Sequence, residues 1–544
     1  MVLPLRVSTV VVNMTPSLRL LLLSLLCVPF YVAIRVIKTH IRRKGARIAP
    51  GPRGWPFLGS ALELASADST TMISIFQKWR QKYGSITQVN IMGSKNVIVS
   101  DPAIAQELFV RRGNRYSNRG ATHAVEYISM NQNPGFRPKD EGWRRQRTMI
   151  QNAVNITSIN KYQSLMDDEA TQSLLAIIRS PSSFDAELLR YAYSVLTTSL
   201  LGFSIPSSSD PYIDYNENFT AKIMTSFRPD CFPSNVFPVL RHMPDWLVPS
   251  LRTMENLRRE YVDQMWALRS RIEESVKKGT ALDSIYKHFL LNRDDYAVTD
   301  EESVHTFQGM LDGGTRSPHN NLLTFLILMM EYPEWQAKLQ KEVDEVVGRD
   351  RMPNHADIPN LPTVRAIVKE GVRYRSIVAE MGITHCLERD DIFNGYFFEK
   401  GTVFHATFAT ILTDPEMYPD GKLFNPARWL EPSYPTYKEP LTLYPNCHNF
   451  VAFGYGRRAC PGVEFAERSL NILVAKLAWA VNIRRPRDES GNEIREDITY
   501  EAVPAPRPLK FGCSIESRDT GRVNVIKKSL GLDECASLKA TGNK

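Results

Sequence analysis

Residues 453–462 read Phe453-Gly454-Tyr455-Gly456-Arg457-Arg458-Ala459-Cys460-Pro461-Gly462, a glycine-rich loop ending in a cysteine and running into the helix-compatible stretch Val463 to Val481. Glycine lacks a Cβ, so Gly454, Gly456 and Gly462 let the backbone close tightly beneath a flat ligand. Arg458 can meet a carboxylate, and a thiolate at a helix N-terminus is favoured by the local dipole. Such a loop suits an iron-bound sulfur, with Cys460 as the metal ligand. A phosphate loop is the rival reading, but its G-K-[ST] ending is missing. Taken alone, the ten residues also allow a buried structural cysteine.

The bulk of the chain agrees with a large enzyme. Its 544 residues are 43% hydrophobic and 23% charged, enough apolar side chain to bury a substantial core. The formal net charge of +8 does not mark a nucleic-acid binder, because Arg35, Lys38, Arg42, Arg43, Lys44 and Arg47 form one acid-free cluster and the rest of the chain carries only +2. Seven cysteines, at 27, 231, 386, 447, 460, 513 and 535, include no C-x-x-C pair and fit reduced thiols better than a disulfide or zinc framework.

Residues 18–37 form an apolar run long enough to span a bilayer if Arg19 and Arg35 snorkel. No small-residue cleavage site follows it, which argues against a secretory signal, and the basic cluster beyond it orients the remainder toward the cytoplasm. The expected organisation is a short lumenal start at 1–17, an anchor at 18–37 in the endoplasmic reticulum membrane, a basic and proline-rich hinge at 38–60, a catalytic domain at 61–514 and a polar, solvated tail at 515–544. Within the domain helical patterns dominate. Ile86 to Ile91, Asn96 to Val99 and Thr402 to Ala406 alternate as strands do, and Thr299-Asp300-Glu301-Glu302 has the form of a capping box opening a long helix. The fold class expected is mainly α with small β-sheets, in one catalytic domain.

The cysteine loop resembles the F-x-x-G-x-R-x-C-x-G signature of the cytochrome P450 family. Two further segments match in order: Glu370-Gly371-Val372-Arg373 resembles the family's E-x-x-R helix, and Phe424-Asn425-Pro426-Ala427-Arg428-Trp429 its F-x-P-x-R-W segment. The resemblance covers about residues 45 to 515 and implies a P450-like domain behind a transmembrane helix. It also implies a haem b cofactor held by Cys460 within a shell of Phe453, Gly456, Arg458 and Gly462. Trp143, Arg147 and His385 are implied at the haem propionates, and Glu370, Arg373 and Arg428 as a triad bracing the cysteine loop, with Arg428 as a bidentate partner of Glu370.

One segment departs from the family pattern. Where most members carry A/G-G-x-D/E-T-T/S in the central helix, this chain reads Gly313-Gly314-Thr315-Arg316-Ser317-Pro318. Ser317 keeps a hydroxyl, but Arg316 replaces the acid of the ordinary proton relay. Pro318 has no N–H and crowds the carbonyl of Gly314, so a kink is expected over the haem. Asp312, four residues before Arg316, has the spacing of a same-face ion pair, which makes Asp312, Arg316 and Ser317 the candidate catalytic residues.

By family position the substrate pocket draws on Gly313, Gly314, Val378, Glu380, Met381 and Val503, with the loop from Arg115 to Pro134. The resemblance implies a monooxygenase that hydroxylates or otherwise oxidises a small lipophilic terpenoid, polyketide or indole alkaloid of fungal secondary metabolism. Electrons would come from NADPH through a cytochrome P450 reductase, with cytochrome b5 as a second partner and Arg144, Arg145 and Arg457 as docking charges. Oxidative ring formation, coupling or rearrangement without net oxygen insertion is the alternative, favoured by the altered central helix. A non-catalytic haem sensor is the remaining one.

Overall fold

The computed structural model describes residues 37–55, 58–65, 69–228, 231–377, 382–500 and 507–532. Its helices of ten residues or more are, in chain order, α1 Ser69–Tyr83, α2 Glu141–Ala153, α3 Gln163–Arg179, α4 Phe184–Leu201, α5 Pro211–Met224, α6 Ser250–Lys277, α7 Asp300–Gly314, α8 Arg316–Glu331, α9 Pro333–Val347, α10 Pro362–Tyr374, α11 Val463–Ala480 and α12 Thr520–Ser529. Three small sheets accompany them. The largest has the order β1 (Ile86–Ile91), β2 (Ser94–Val99), β6 (Val403–Ala406), β3 (His385–Cys386), with β2 and β6 parallel and the other neighbours antiparallel. Two-stranded pairs join β4 (Asp391–Phe393) to β5 (Tyr396–Phe398) and β7 (Val481–Arg484) to β8 (Ser514–Ser517).

The core lies where α3, α4, α8, α10 and α11 meet. Helix α11 is buried on every side over its last three turns, where the residues from Ser469 to Ala480 are all inside, as expected of a helix surrounded by others. Its one cation there, Lys476, donates to the Asp167 carbonyl and the Thr171 hydroxyl at 2.7 Å each. The strand expectations hold. β1 and β2 join through Met92 and Gly93, both at positive φ, as a tight two-residue hairpin turn requires.

The capping box also forms: the Thr299 hydroxyl accepts from the Glu302 N–H while the Glu302 carboxylate accepts from the Thr299 N–H. Helix α7 then runs only to Gly314. The expected kink is a break at Thr315 (φ −95°, ψ −63°), three residues ahead of Pro318, because the bond that proline cannot make is the one to the Gly314 carbonyl.

Two expectations need amendment. The segment expected to be a solvated tail holds most of β8 and then α12, whose Arg522 is 1% exposed and whose Ile526 is fully buried. Arg522 donates to Asp344 of α9, to Asp519 and to the Trp479 carbonyl of α11, so a residue that reads as polar surface is an internal clamp. The proline-rich hinge holds no helix from Pro50 to Trp55, yet it is docked rather than free: Gln88 N–H donates to the Pro50 carbonyl, and a Cβ on Gly51 would lie 1.8 Å from the Gln88 oxygen. Among the described residues no helix is long and apolar enough to cross a membrane, and all but the last residue of the expected anchor lies outside them.

Candidate active site

Cys460 stands three residues ahead of the first residue of α11, in a loop whose shape needs its glycines. Gly456 has φ +54°, and a Cβ there would meet the Phe109 carbonyl oxygen at 2.4 Å. The Cys460 N–H donates to the Phe453 carbonyl at 2.7 Å, closing the turn that aims the sulfur. The residue is solvent-accessible yet set deep among protein atoms, so desolvation pushes the thiol up, against the pull of the Gly462 backbone and of Arg147. A metal cation taking the proton's place removes that penalty.

Beside the sulfur lies a cluster of buried cations. Arg458 stacks on Trp143, 4.1 Å from the ring centre, and donates to the carbonyls of Ser117 at 2.8 Å, Arg137 at 2.8 Å and Pro134 at 3.3 Å. Arg147 donates to the Ala459 carbonyl at 2.6 Å and keeps a buried Nε without a partner. Arg119 donates to the carbonyls of Gly135, Ile383 and Thr384. Among the described residues no carboxylate is ion-paired with any of the three. Burial pulls all of them down, and mutual repulsion adds to it at Arg119, to about 9, and Arg458, to about 8. Three desolvated guanidiniums without a counter-ion are costly unless an anion joins them. The two propionates of a haem supply that charge, so the residues present fit the group.

His385 belongs to this cluster with a role that depends on its protonation. Its Nδ1 lies 2.7 Å from the Tyr116 carbonyl, which can only accept, so the neutral ring carries its proton there and offers a lone pair at Nε2. Burial, then Arg119, pull the imidazole down to about 3. It can donate to a propionate only after that anion has raised it.

The triad is present, with its partners rearranged. Glu370, Arg373 and Arg428 are all fully buried, and Arg373 is the bidentate one, at 2.8 Å to each carboxylate oxygen. Arg428 gives Glu370 a single bond at 3.0 Å and spends its other donors on the carbonyls of Pro419, Asp420 and Leu423. The Asn425 backbone N–H at 3.0 Å and the Trp429 N–H at 2.9 Å complete the carboxylate's shell, and the Trp429 ring meets Phe450 edge-on at 5.7 Å, three residues before the cysteine loop. The brace therefore reaches the loop through an aromatic contact.

Over the central helix the expected Asp312–Arg316 pair does not form. Arg316 turns to Glu217 of α5, 2.7 Å away, and the Asp312 carboxylate instead accepts from Gln308 at 2.7 Å. With no cation paired to it among the described residues, the half-buried Asp312 is pushed up by desolvation to about 7. Gly313 faces open space, whereas a Cβ on Gly314 would lie 2.7 Å from Leu196, so Gly314 serves the packing of the central helix on α4. Ser317 is half-buried. Arg145, expected to be free for a partner, holds Glu302 at 2.6 Å, and Arg144 pairs with Glu141. Val378, Glu380, Met381 and Val503 lie outside the described residues. Arg119, Glu217 and Gln308 were not singled out in the sequence: Arg119 and Glu217 owe their places to partners distant in the chain, whereas Gln308 stands four residues before Asp312, a same-face spacing that could have marked it.

A mainly helical body that offers a cysteine sulfur at a helix start, beside a dianion cradle, defines a haem-thiolate protein. A family model described as Cytochrome P450 matches residues 49–481. Similar relatives include Cytochrome P450 monooxygenase psoD of Aspergillus fumigatus, 71% identical over 482 residues covering 89% of this chain and 93% of that one. Cytochrome P450 monooxygenase 105 of Postia placenta is 27% identical, covering 93% of this chain and 96% of its own. Cytochrome P450 monooxygenase verL of Clonostachys rogersoniana is 26% identical, covering 92% of each. The chain belongs to the cytochrome P450 family and is a monooxygenase of that family, with haem as its implied cofactor and a redox partner and small substrate as the family's usual company.

Proposed function

We propose that this P450 hydroxylates or otherwise oxidises a small lipophilic natural product, of terpenoid, polyketide or indole-alkaloid type, in fungal secondary metabolism. Electrons reach it from NADPH through a cytochrome P450 reductase, with cytochrome b5 as a second donor. The observation that carries the enzyme reading is the pairing of Cys460 with the anion-seeking cluster of Arg119, Arg147 and Arg458. When bound, haem supplies the redox chemistry that activates O₂, and a thiolate ligand favours O–O cleavage.

The chain's own residues divide the rest of the work. Cys460 would hold the metal from the loop that Phe453 closes. Arg119, Arg147, Arg458 and Trp143 would hold the carboxylates. Gly313 leaves room beside the central helix, and Ser317 holds a proton on its hydroxyl near the break. Arg316 is committed to Glu217 and takes no part in proton transfer.

An endoplasmic reticulum anchor at 18–37 fits this role. The exposed Ile37, Ile41, Trp55, Phe237, Val239, Trp246 and Leu247 support a membrane-facing body. Turnover of a host metabolite extract with reductase and NADPH under isotopically labelled O₂ tests the reaction class. Label in the new product is expected, and unlabelled product would point to ring formation, coupling or rearrangement instead.

A further inference from the structure

Along the central helix, His305, Gln308 and Asp312 are spaced three and four residues apart and so share one stripe. His305 is fully buried and Gln308 is 1% exposed, both at a depth where polar atoms ordinarily have partners. Opposite them α6 presents Tyr261, whose ring centre is 5.7 Å from that of His305, and Gln264, three residues on. Tyr261 is pushed up first by burial and then by the Asp312 carboxylate, which places that carboxylate near the same seam.

The hydrogen bonds fix which atoms lack partners. The Gln308 amide donates to Asp312, which leaves its own carbonyl oxygen buried with no donor. Asn216 donates to the Tyr212 carbonyl and accepts from the Gln264 amide at 3.1 Å, which leaves the Gln264 oxygen without a donor as well. Neither ring nitrogen of His305 has a partner, and a neutral imidazole offers only one N–H. The next cation along the stripe, Arg316, is spent on Glu217. Acceptors outnumber donors, beside Gly313 where the helix faces open space.

We infer that this seam is the polar end of the substrate pocket, and that the substrate carries a neutral hydrogen-bond donor, an N–H or O–H group, which bonds Asp312. This names a substrate class for the site proposed above and rests on that reading. It makes Asp312 a specificity-determining residue.

The test uses the purified full chain loaded with haem and a matched probe pair, indole and 1-methylindole, which differ by the donor alone. Equilibrium dialysis should show indole binding about tenfold more tightly to the wild type. Asp312→Leu should erase that preference without changing the affinity for 1-methylindole, and Asp312→Asn, which keeps an acceptor oxygen, should retain part of it. The inference is overturned if indole binds no more tightly than 1-methylindole to the wild type, binding of neither included. It is equally overturned if the preference survives in Asp312→Leu, even where that variant releases more peroxide per NADPH, which would make Asp312 a proton carrier. A preparation that takes up no haem tells against the enzyme reading, whereas a missing preference in a preparation with an intact carbon-monoxide spectrum tells against the anchor alone.

Discussion

Arg316 and Glu217 form a 2.7 Å ion pair that ties the break in the central helix to α5, ninety-nine residues earlier in the chain. The same Glu217 accepts from the Tyr193 hydroxyl of α4 at 2.9 Å, so three elements converge on one carboxylate. Arg316, expected at the position of the family's relay acid, thus serves as a structural tie.

The tie should be modest in strength and neutral for proton delivery. Both side chains are partly exposed, so a double-mutant cycle of Arg316→Gln and Glu217→Gln, followed by chemical denaturation, is expected to give a coupling of about 1 kcal/mol or less. Arg316→Gln should leave the ratio of peroxide released to NADPH consumed near that of the wild type, whereas Ser317→Ala should raise it.

Arg119 should matter more to haem retention than to folding. With the cluster uncompensated in the bare protein, Arg119→Gln removes a repulsive charge but also donors to the Gly135, Ile383 and Thr384 carbonyls, so the two effects oppose and the stability of the haem-free protein should change little. Haem transfer to an acceptor protein should be faster by about an order of magnitude, the worth of one charge-assisted hydrogen bond. Equal transfer rates would place Arg119 outside the cradle.

The half-buried Asp312 gives stability a particular pH dependence. Its folded value of about 7 lies above the ordinary carboxyl value of about 4, so the folded protein binds more protons than the unfolded one between those limits. The contribution is full below about 4, is lost as pH rises toward about 7, and is flat beyond. Relative to Asp312→Asn, the wild type should lose stability across that window in parallel denaturation curves. A difference that grows with pH would mean that Asp312 is ionised and paired in the folded state.

Helix α12 should be integral to the domain. Arg522→Ala leaves Asp344 with Arg518 alone and the Trp479 carbonyl with only its 3.3 Å bond from Arg518, a loss of about 3 kcal/mol in denaturation measurements. Ending the chain after Cys513 should destabilise it further, because it also deletes β8 and the buried Ile526 and so uncovers the apolar surface they pack on.

Much of this site was legible because its residues are bound by local geometry. A glycine forced by a 2.4 Å backbone approach, an E-x-x-R pair three residues apart on one helix and a capping box all leave fixed spacings in the chain. What escaped depends on partners that spacing does not encode. Asp312 and Arg316 had the interval of an ion pair, but the break at Thr315 separates them and distant Glu217 offers a closer partner. Arg522 reads as a surface residue because its burial rests on Asp344, far upstream. Arg119 sits in a polar run, and only the fold shows it facing two other cations with no acid between.

The bond between Cys460 and iron is the claim on which the rest stands. The most direct measurement is the carbon-monoxide difference spectrum of haem-loaded Cys460→Ser beside the wild type. The wild type should show the band of a thiolate-ligated haem, and the variant should lose it for the shorter-wavelength band of an oxygen- or nitrogen-ligated one. An unchanged spectrum in a fully loaded variant would contradict the assignment of Cys460 as the metal ligand.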